Sequence, residues 1–335
     1  MNISITAVSV TSIAGNKPID ILNNITHHKC GPILDKNLTA KAPGEINQYP
    51  IYVASIPKYN DFDPNECIAN MFTDTLTNLF VQLPKNLNYK NVLIHAIIPA
   101  KTNLRCNLFS KKSLQKLITD IDNKYSAMQF DLSHYDQGVC QCLQSLCTKL
   151  HDDEYDAIIF GGIDSLVNLE TIIDLGEQRR LLTTFCSFGL APGEAAAFIL
   201  LQKTNNNKSA SIENISYVEE PNSRYADTKE LIGLSTAIQN ISTTPKNINN
   251  VILSSGAEPN DPLEWNQVTQ TIWPSHSYTI PKEIIIYLTL GEIGAATIPL
   301  SLALATALSS NTLICEANEY PTRGAILIKT NGEIT

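Results

Sequence analysis

The sequence predicts an α/β protein made of two duplicated halves, residues 1–203 and residues 209–335. Two apolar runs in the middle of the chain, residues 157–160 and 195–201, are rich in Ile, Phe and Ala and are bounded by Gly or Pro. Short runs of this kind are typical of strands buried on both faces, so we expect them to be neighbours in a large sheet. Strand-like and helix-like segments alternate on both sides of this pair, and the polar run at 204–208 is interpreted as the linker between the halves.

The composition limits the classes of partner. The chain has 335 residues, of which 43% are hydrophobic, and this is enough for a large core. Charged residues make up 17%, which is below the usual level and fits much buried surface or a large subunit interface. The net charge of −9 argues against nucleic acid and against an anionic membrane surface. It also disfavours direct docking of an acidic carrier protein on this chain.

The cysteines and the longest apolar stretch indicate where in the cell the protein is expected to be found. None of the eight cysteines belongs to a CxxC pair with a matching second pair, so no zinc site is expected. In a long chain without a signal peptide they are expected to be reduced thiols. The stretch at residues 293–308 is shorter than the ~20 residues that cross a bilayer and contains Pro299, so it is interpreted as a buried helix. We therefore expect a cytoplasmic protein with no membrane insertion, metal or cofactor.

Strands and helices are predicted in order along both halves. Asp63 and Pro64 are an N-cap and a first helical residue. His95 lies in a predicted core strand and is interpreted as a buried histidine. The predicted strands are residues 1–10, 91–98, 128–132, 157–160, 195–201, 210–218, 250–256, 284–288, 311–315 and 324–329. The predicted helices are residues 18–25, 63–84, 114–125, 139–150, 227–241 and 294–308.

Two segments in the middle of the chain resemble the β-ketoacyl synthase family. Residues 156–165 (DAIIFGGIDS) are similar to the family segment in which a core strand ends in a Gly-Gly pair. Residues 192–201 (PGEAAAFILL) are similar to the family's GEGAAALVL strand, with Ala195 in place of the second Gly. The order of the two segments and the gap between them also match. The resemblance implies a thiolase-like fold, in which central mixed sheets of two duplicated α/β halves sandwich helices.

The resemblance also implies where catalytic groups of an active ketosynthase would lie. Such an enzyme needs a Cys that takes the acyl chain, two His (or His and Asn), and backbone N–H groups for the oxyanion. The Cys belongs to the turn before the helix at 139–150. Alignment on Gly138 places it at Tyr135, and counting from Asp156 places it at Asp136. Neither residue can act as the thiol nucleophile.

The remaining catalytic positions are changed as well. Residues 254–264 are similar to the family pattern HGTGT…GDP.E, but the His position is Ser255. Residues 290–297 are similar to GHTLGAAG, but the His position is Gly291. Tyr320 keeps the aromatic residue of the C-terminal Gly-Phe-Gly-Gly loop, whose glycines are missing. Because neither a hydroxyl nor a glycine supplies the proton of an imidazole, the sequence predicts a ketosynthase scaffold without ketosynthase chemistry.

The leading hypothesis is a pseudoenzyme similar to the chain-length factor of type II polyketide and fatty-acid-like systems. The resemblance implies a heterodimer with an active ketosynthase, which would bind the acyl carrier protein while this chain helps to shape the acyl tunnel. The short chain and the degenerate site are similar to the chain-length-factor-like subunit of aryl polyene biosynthesis.

The predicted contact with the partner is the strand at residues 128–132. Met128, Phe130 and Leu132 lie on one face of this strand, which suits an edge that pairs with a partner's edge. The bulky side chains of Phe130, Tyr135 and Tyr320 are also candidates for filling the pocket near the lost site.

Two alternatives remain open at this stage. The first is an active acyl-transferring enzyme that uses a shifted nucleophile, Cys140 or Cys142, with His134 or His276. The N–H groups at a helix N-terminus can lower the pKa of a thiol or stabilise an oxyanion, whereas packing within a central helix is the other interpretation of these cysteines. The second alternative is a free-standing acyl-binding protein.

Overall fold

The computed structural model describes residues 3–203, 210–222, 230–241, 247–254, 258, 260–274 and 280–330. The strands are β1 (Ile3–Ser12), β2 (Ile33–Ala40), β3 (Tyr49–Val53), β4 (Val92–Ile98), β5 (Gln129–His134), β6 (Ala157–Ser165), β7 (Glu194–Lys203), β8 (Ala210–Glu219), β9 (Asn250–Leu253), β10 (Lys282–Ile285), β11 (Thr312–Ala317) and β12 (Thr322–Lys329). The helices are α1 (Pro18–Thr26), α2 (Pro64–Phe80), α3 (Lys111–Ile121), α4 (Val139–His151), α5 (Leu169–Glu177), α6 (Gly233–Ile241), α7 (Asn260–Ile272), α8 (Tyr287–Leu290) and α9 (Thr297–Ala305).

The sheet repeats one topology in both halves. Ten strands follow the order β10-β9-β11-β12-β8-β1-β7-β6-β4-β5. The first half contributes β1 and β4 to β7, and the second contributes β8 to β12. When the five strands of each half are counted from its own first strand and read from the outer edge of the sheet inward, both halves have the order third, second, fourth, fifth, first. In each half the three strands farthest from the junction are parallel, and the fifth runs antiparallel to its neighbours. The predicted duplicated α/β fold is therefore confirmed.

The two half-sheets are continuous rather than separate. The first strands of the two halves, β1 and β8, pair antiparallel, with Ile3 opposite Ile212 and Ile5 opposite Ala210. The predicted linker at residues 204–208 lies outside the described residues. The limits 1–203 and 209–335 therefore stay predictions.

Two central helices lie between the halves. Helix α4 packs on β1, β6 and β7 of its own half and on β8 and β12 of the other half. Helix α9 packs on β11 of its own half and on β1, β6 and β7 across the interface. Every residue of α9 is buried, as predicted for the apolar stretch. Helices α2 and α3 cover the opposite face of the first half, and α6 and α7 that of the second.

Strands β6 and β7 are neighbours in the core, as predicted. They pair antiparallel, with Phe160 opposite Ile199. The strand does not end at the glycine pair, however, because β6 runs through it to Ser165. A Cβ atom at Gly161 would lie 2.0 Å from the ring of Phe198, and one at Gly162 would lie 2.2 Å from a main-chain oxygen. The glycines therefore make room for a neighbouring ring and for the segment before α9, rather than making a turn.

Several element ends differ from the prediction. The Asp63 side chain caps α2 by accepting the N–H groups of Asn65 and Glu66, as predicted, but the helix ends at Phe80 rather than near residue 84. Residues 287 and 288, the end of the strand predicted at 284–288, belong to α8, because among the described strands β10 pairs with the four-residue β9 and no other. The beginning of the helix predicted at 227–241 lies outside the described residues. Among the helices that are described, none has both the length and the apolar character needed to cross a membrane.

Candidate functional site

The turn between β5 and α4 lies where the sequence places the nucleophile turn. A single 3₁₀ turn, Tyr135–Gln137, follows β5, and α4 begins directly after Gly138. Gly138 has a φ of 81°, and a Cβ atom there would lie 2.9 Å from the side chain of Thr322. A glycine is therefore required for this tight connection at the centre of the molecule.

The N-terminus of α4 is already occupied by a carboxylate of the same chain. The N–H groups of Val139 and Cys140 donate to the two oxygens of Glu316, each at 2.8 Å. Glu316 is fully buried. These are the donors that were predicted to lower a thiol pKa or to hold an oxyanion, and they are used internally. Burial and Glu316 raise the pKa of the Cys140 thiol well above its ordinary value.

One feature of the sequence points to this contact. Glu316 is a charged residue inside an otherwise apolar strand, β11. A buried charge of this kind requires a partner, but its partner lies 177 residues earlier in the chain. Pattern analysis does not connect positions so far apart.

Two aromatic rings pack together at the predicted nucleophile position. Tyr135 is buried and packs edge-to-face on Tyr320, with the ring centroids 5.9 Å apart. Burial raises the pKa of Tyr135 well above its ordinary value, and Glu292 and Glu316 add to this effect. The phenol is therefore neutral and is no nucleophile at physiological pH. The next residue, Asp136, is partly buried and also lacks a thiol.

Cys142 has a histidine partner, but not one of the predicted ones. Its sulfur lies 3.2 Å from Nε2 of His95, 47 residues away in sequence. Burial lowers the pKa of His95 to about 4 and raises the pKa of Cys142 to about 11. Both groups are therefore neutral at pH 7, and no thiolate–imidazolium pair forms. His134 contacts Cys106 instead, at 3.6 Å, and His276 lies outside the described residues.

The backbone at the second predicted histidine position excludes a side chain. Gly291 has a φ of 66° and follows α8 directly. A Cβ atom there would lie 2.5 Å from the carbonyl oxygen of Ala191. The next residue, Glu292, accepts the N–H of Gly294 at 3.0 Å. Burial raises the pKa of Glu292 to about 7, and the neighbouring carboxylate of Glu319 adds to the shift.

The first predicted histidine position, Ser255, lies outside the described residues. Its neighbour Ser254 accepts the N–H of Ala317 at 3.1 Å and so ties β9 to the end of β11. Glu264, the last residue of the predicted motif, forms a buried ion pair with Arg323 at 2.5 Å. The described part of this motif is therefore used for packing between α7, β11 and β12.

A polar cavity of about 380 Å³ opens beside the nucleophile turn. Tyr135, Asn318 and Tyr320 line it together with two arginines and five acidic residues, Arg105, Asp174, Arg180, Glu258, Asp261, Glu292 and Glu319. The guanidinium of Arg105 binds the buried Asp164 at 2.7 Å, and that of Arg180 binds Glu258 at 2.7 Å and Glu319 at 2.5 Å. An apolar acyl chain in this cavity would strip water from charged groups without replacing it, so the lining disfavours such a ligand.

Comparisons with known proteins place the fold. No protein-family model matches the sequence, and no curated protein is similar to it in sequence. A chain of AntDE:AntF, a type II polyketide ketosynthase in complex with its acyl carrier protein, is 12% identical over 98% of this chain and 99% of its own, with a TM-score of 0.74. The chain has the ketosynthase fold.

Two further solved structures have the same fold. The ketosynthase ApeO in complex with its chain length factor ApeC, from Xenorhabdus doucetiae, gives a TM-score of 0.73 at 13% identity over 98% of both chains. The ishigamide ketosynthase/chain length factor gives 0.68 at 13% identity, over 99% of this chain and 100% of that chain. The thiolase-like fold that the motifs imply is therefore confirmed.

Within this ketosynthase fold, β5 is an edge strand, but its predicted interface side chains point inward. Among the described strands, β5 pairs with β4 and no other, at one end of the sheet. Met128 and Phe130 are 5% and 6% exposed and belong to the chain's own core beneath α2 and α3, with Leu132 packed against them. Met128 and Phe130 therefore do not reach the surface of the chain, and of the three predicted side chains Leu132 alone is partly exposed. The exposed side chains of the strand are Gln129 and Asp131.

The first prediction concerns the partly buried acid Glu292. Its pKa of about 7 lies above the ordinary value of 4.5, so the folded state holds the proton more tightly than the unfolded state does. This stabilisation is complete below about pH 4.5 and is lost as the pH rises through about 7, by about 3 kcal/mol. Glu292→Gln is neutral at every pH. The free energy of unfolding of this variant minus that of the native protein should therefore be larger at pH 8 than at pH 5. Urea unfolding at the two pH values checks this, and an unchanged difference would contradict the assignment.

Proposed function

We propose that this chain is a non-catalytic subunit of the chain-length-factor type, which pairs with an active ketosynthase and helps to shape its acyl tunnel. The partner carries the reactive cysteine and receives the acyl carrier protein. The resemblance of its motifs supports polyketide or fatty-acid-like chain elongation as the setting of the pair, and the degenerate site supports aryl polyene biosynthesis as the pathway.

One observation carries this proposal. The N–H groups at the start of α4 are bound by Glu316, and the turn before them carries Tyr135 in place of a nucleophile. A ketosynthase needs those N–H groups and a thiolate at this point for acyl transfer. The position of Gly291 also has no room for an imidazole. The fold therefore supports a scaffolding role better than a catalytic one.

The proposed pairing uses the main chain of β5 and the exposed side chains beside it. An unpaired edge strand offers N–H and C=O groups to a second strand, and an obligate pair of subunits typically buries more than ~2,000 Å². Gln129 and Asp131 are exposed on this strand, on the face opposite to Phe130. The net charge of −9 disfavours an acidic carrier protein on this subunit, so the basic docking face belongs to the partner.

Lysines on this edge should separate the pair. Gln129→Lys with Asp131→Lys places two charges beside the strand edge. The variant loses two exposed contacts, that of Asp131 with Lys111 at 2.9 Å and the hydrogen bond that Gln129 accepts from the Tyr155 hydroxyl at 3.0 Å. We expect co-purification with a tagged active ketosynthase to fall at least about tenfold, while the isolated chain loses no more than ~1 kcal/mol.

The matched control for this experiment is Asp61→Lys with Gln270→Lys, which makes the same charge change at two exposed positions outside the sheet. The control should co-purify like the native chain. If the edge variant also does so, β5 is not the interface. If the native chain binds no active ketosynthase, the proposed function is wrong.

The contact of Cys142 with His95 favours a second candidate function, acyl transfer by a shifted nucleophile. Their separation of 3.2 Å is within reach of proton transfer. The raised pKa of the thiol and the lowered pKa of the imidazole oppose it, since neither group is charged at pH 7. An acyl group found on Cys142, and lost in Cys142→Ala, would establish this alternative.

A further inference from the structure

A second cavity, of about 290 Å³, lies between α7 and the strands at the outer edge of the sheet. Apolar side chains of α7 and of three neighbouring strands line it. They are Pro262 and Trp265 of α7, Leu253 of β9, Ile285 of β10, and Cys315 and Ala317 of β11. Cys315 and Ala317 are short side chains at alternate positions of their strand, and they leave the space under α7 unfilled by the described residues. Because protein interiors are otherwise close-packed, an unfilled space of this size indicates a small-molecule site.

The acidic groups around this cavity already have partners within the chain. Glu264 forms the buried ion pair with Arg323, Asp261 accepts the N–H of Glu258 at 3.0 Å, and Glu283 accepts an indole N–H at 2.7 Å. No lysine, arginine or histidine lines the part of the cavity that the structure describes. An anionic ligand would therefore meet like charges without a cation to neutralise it. An ammonium group would lose its water to carboxylates that are in use, so the lining favours an uncharged molecule.

The indole of Trp265 is held as a flat wall of the cavity. Its N–H donates to Glu283 at 2.7 Å, and its ring packs at a tilt on that of Trp273, with the ring centroids 6.0 Å apart. Trp273 is 1% exposed, so the ring behind the wall is fixed in the core. An aromatic ligand gains free energy from packing on such a ring beyond the area that it buries. The wall therefore favours a ligand that carries a ring.

We propose that this cavity binds an uncharged aromatic molecule of one or two rings. An apolar cavity of ~150 Å³ is enough for benzene, so about 290 Å³ accommodates two fused rings with a short polar arm. The rings lie against Trp265, and the arm points to the surface beside Ile280, which is 47% exposed. The site does not include the turn between β5 and α4, and it does not depend on the proposed pairing with a ketosynthase.

Calorimetry with three indoles of similar size tests the proposal. The probes at pH 7 are tryptophol, which is uncharged, tryptamine, a cation, and indole-3-acetate, an anion. We expect saturable binding of tryptophol to the full chain, at least tenfold weaker binding of tryptamine, and none of indole-3-acetate. Thr269 of α7 is partly exposed and lines the cavity, so Thr269→Phe places a ring in the proposed site. This variant should weaken the binding of tryptophol at least tenfold.

The matched control is Thr271→Phe, the same change at an exposed position of the same helix, and it should bind tryptophol like the native chain. Each variant loses one hydroxyl contact with the main chain, that of Thr269 with Asn266 at 2.9 Å or that of Thr271 with Gln267 at 2.8 Å. Trp265→Ala removes the wall and gives a second test if Thr269→Phe does not fold; it should weaken binding at least fivefold. The proposal is overturned if tryptophol does not saturate, if either charged indole binds equally well, or if the folded cavity variants bind like the native chain.

Discussion

A histidine at position 291 is expected to lower the free energy of unfolding by about 3 kcal/mol or more. Gly291 has a φ of 66° and a ψ of −164°, a conformation that residues with a side chain rarely adopt. A Cβ atom there would lie 2.5 Å from the carbonyl oxygen of Ala191, which is main chain and cannot rotate aside. The imidazole of an active ketosynthase therefore cannot be restored by one substitution, and we expect no condensing activity from the variant.

Urea unfolding of two further variants separates the causes of this loss. Gly291→Ala should cost almost as much as Gly291→His, because the Cβ atom makes the clash. Gly44→His is the matched control, since Gly44 has a φ of 83° but no atom within 4 Å of its Cβ position, so it should lose only ~1 kcal/mol. Equal losses at positions 291 and 44 would show that the contact with Ala191 is not the cause.

Phe130→Arg is expected to unfold the isolated chain rather than to report on an interface. Phe130 is 6% exposed and packs in the same core cluster as Leu114 and Ile118 of α3. Removing a buried phenylalanine costs ~3–5 kcal/mol, and an unpaired buried charge adds several more, which together reach the total stability of many domains. We expect insoluble protein or a cooperative unfolding transition near zero urea.

The adjacent position provides the control for this variant. Asp131→Arg places the same side chain one residue later, on the exposed face of β5, where it loses the exposed contact with Lys111. We expect its free energy of unfolding to stay within ~1 kcal/mol of that of the native protein. A stable, soluble Phe130→Arg with a native-like spectrum would mean that β5 does not pack as described.

Much of the fold could be predicted because its signals are local. The apolar runs that became β6 and β7 have the length and composition of buried strands, and the Asp63-Pro64 pair marks the beginning of α2. The positions of Tyr135 and Gly291 followed from motif resemblance, and the structure has Tyr135 in the turn between β5 and α4 and Gly291 directly after α8. Segment ends were less predictable, as in α8, because pairing with a neighbour decides where a strand stops.

The chemistry of the site could not be predicted, because it depends on contacts between distant residues. Glu316 meets Val139 across 177 positions, and Cys142 meets His95 across 47. Hydrophobic periodicity shows that a side chain is buried, but not which partner it finds. The same limit explains why Phe130 was assigned to a partner's surface when it packs under α3 of its own chain.

The most direct measurement is the intact mass of each subunit after the chain is co-expressed with an active ketosynthase, co-purified and incubated with an acyl thioester. The absence of a thiol at Tyr135 and the binding of the α4 N–H groups by Glu316 predict that the partner gains one acyl group and that this chain stays unmodified. An acyl group on this chain, at Cys140 or Cys142, would contradict its assignment as a non-catalytic subunit, and failure to co-purify would contradict the pairing itself.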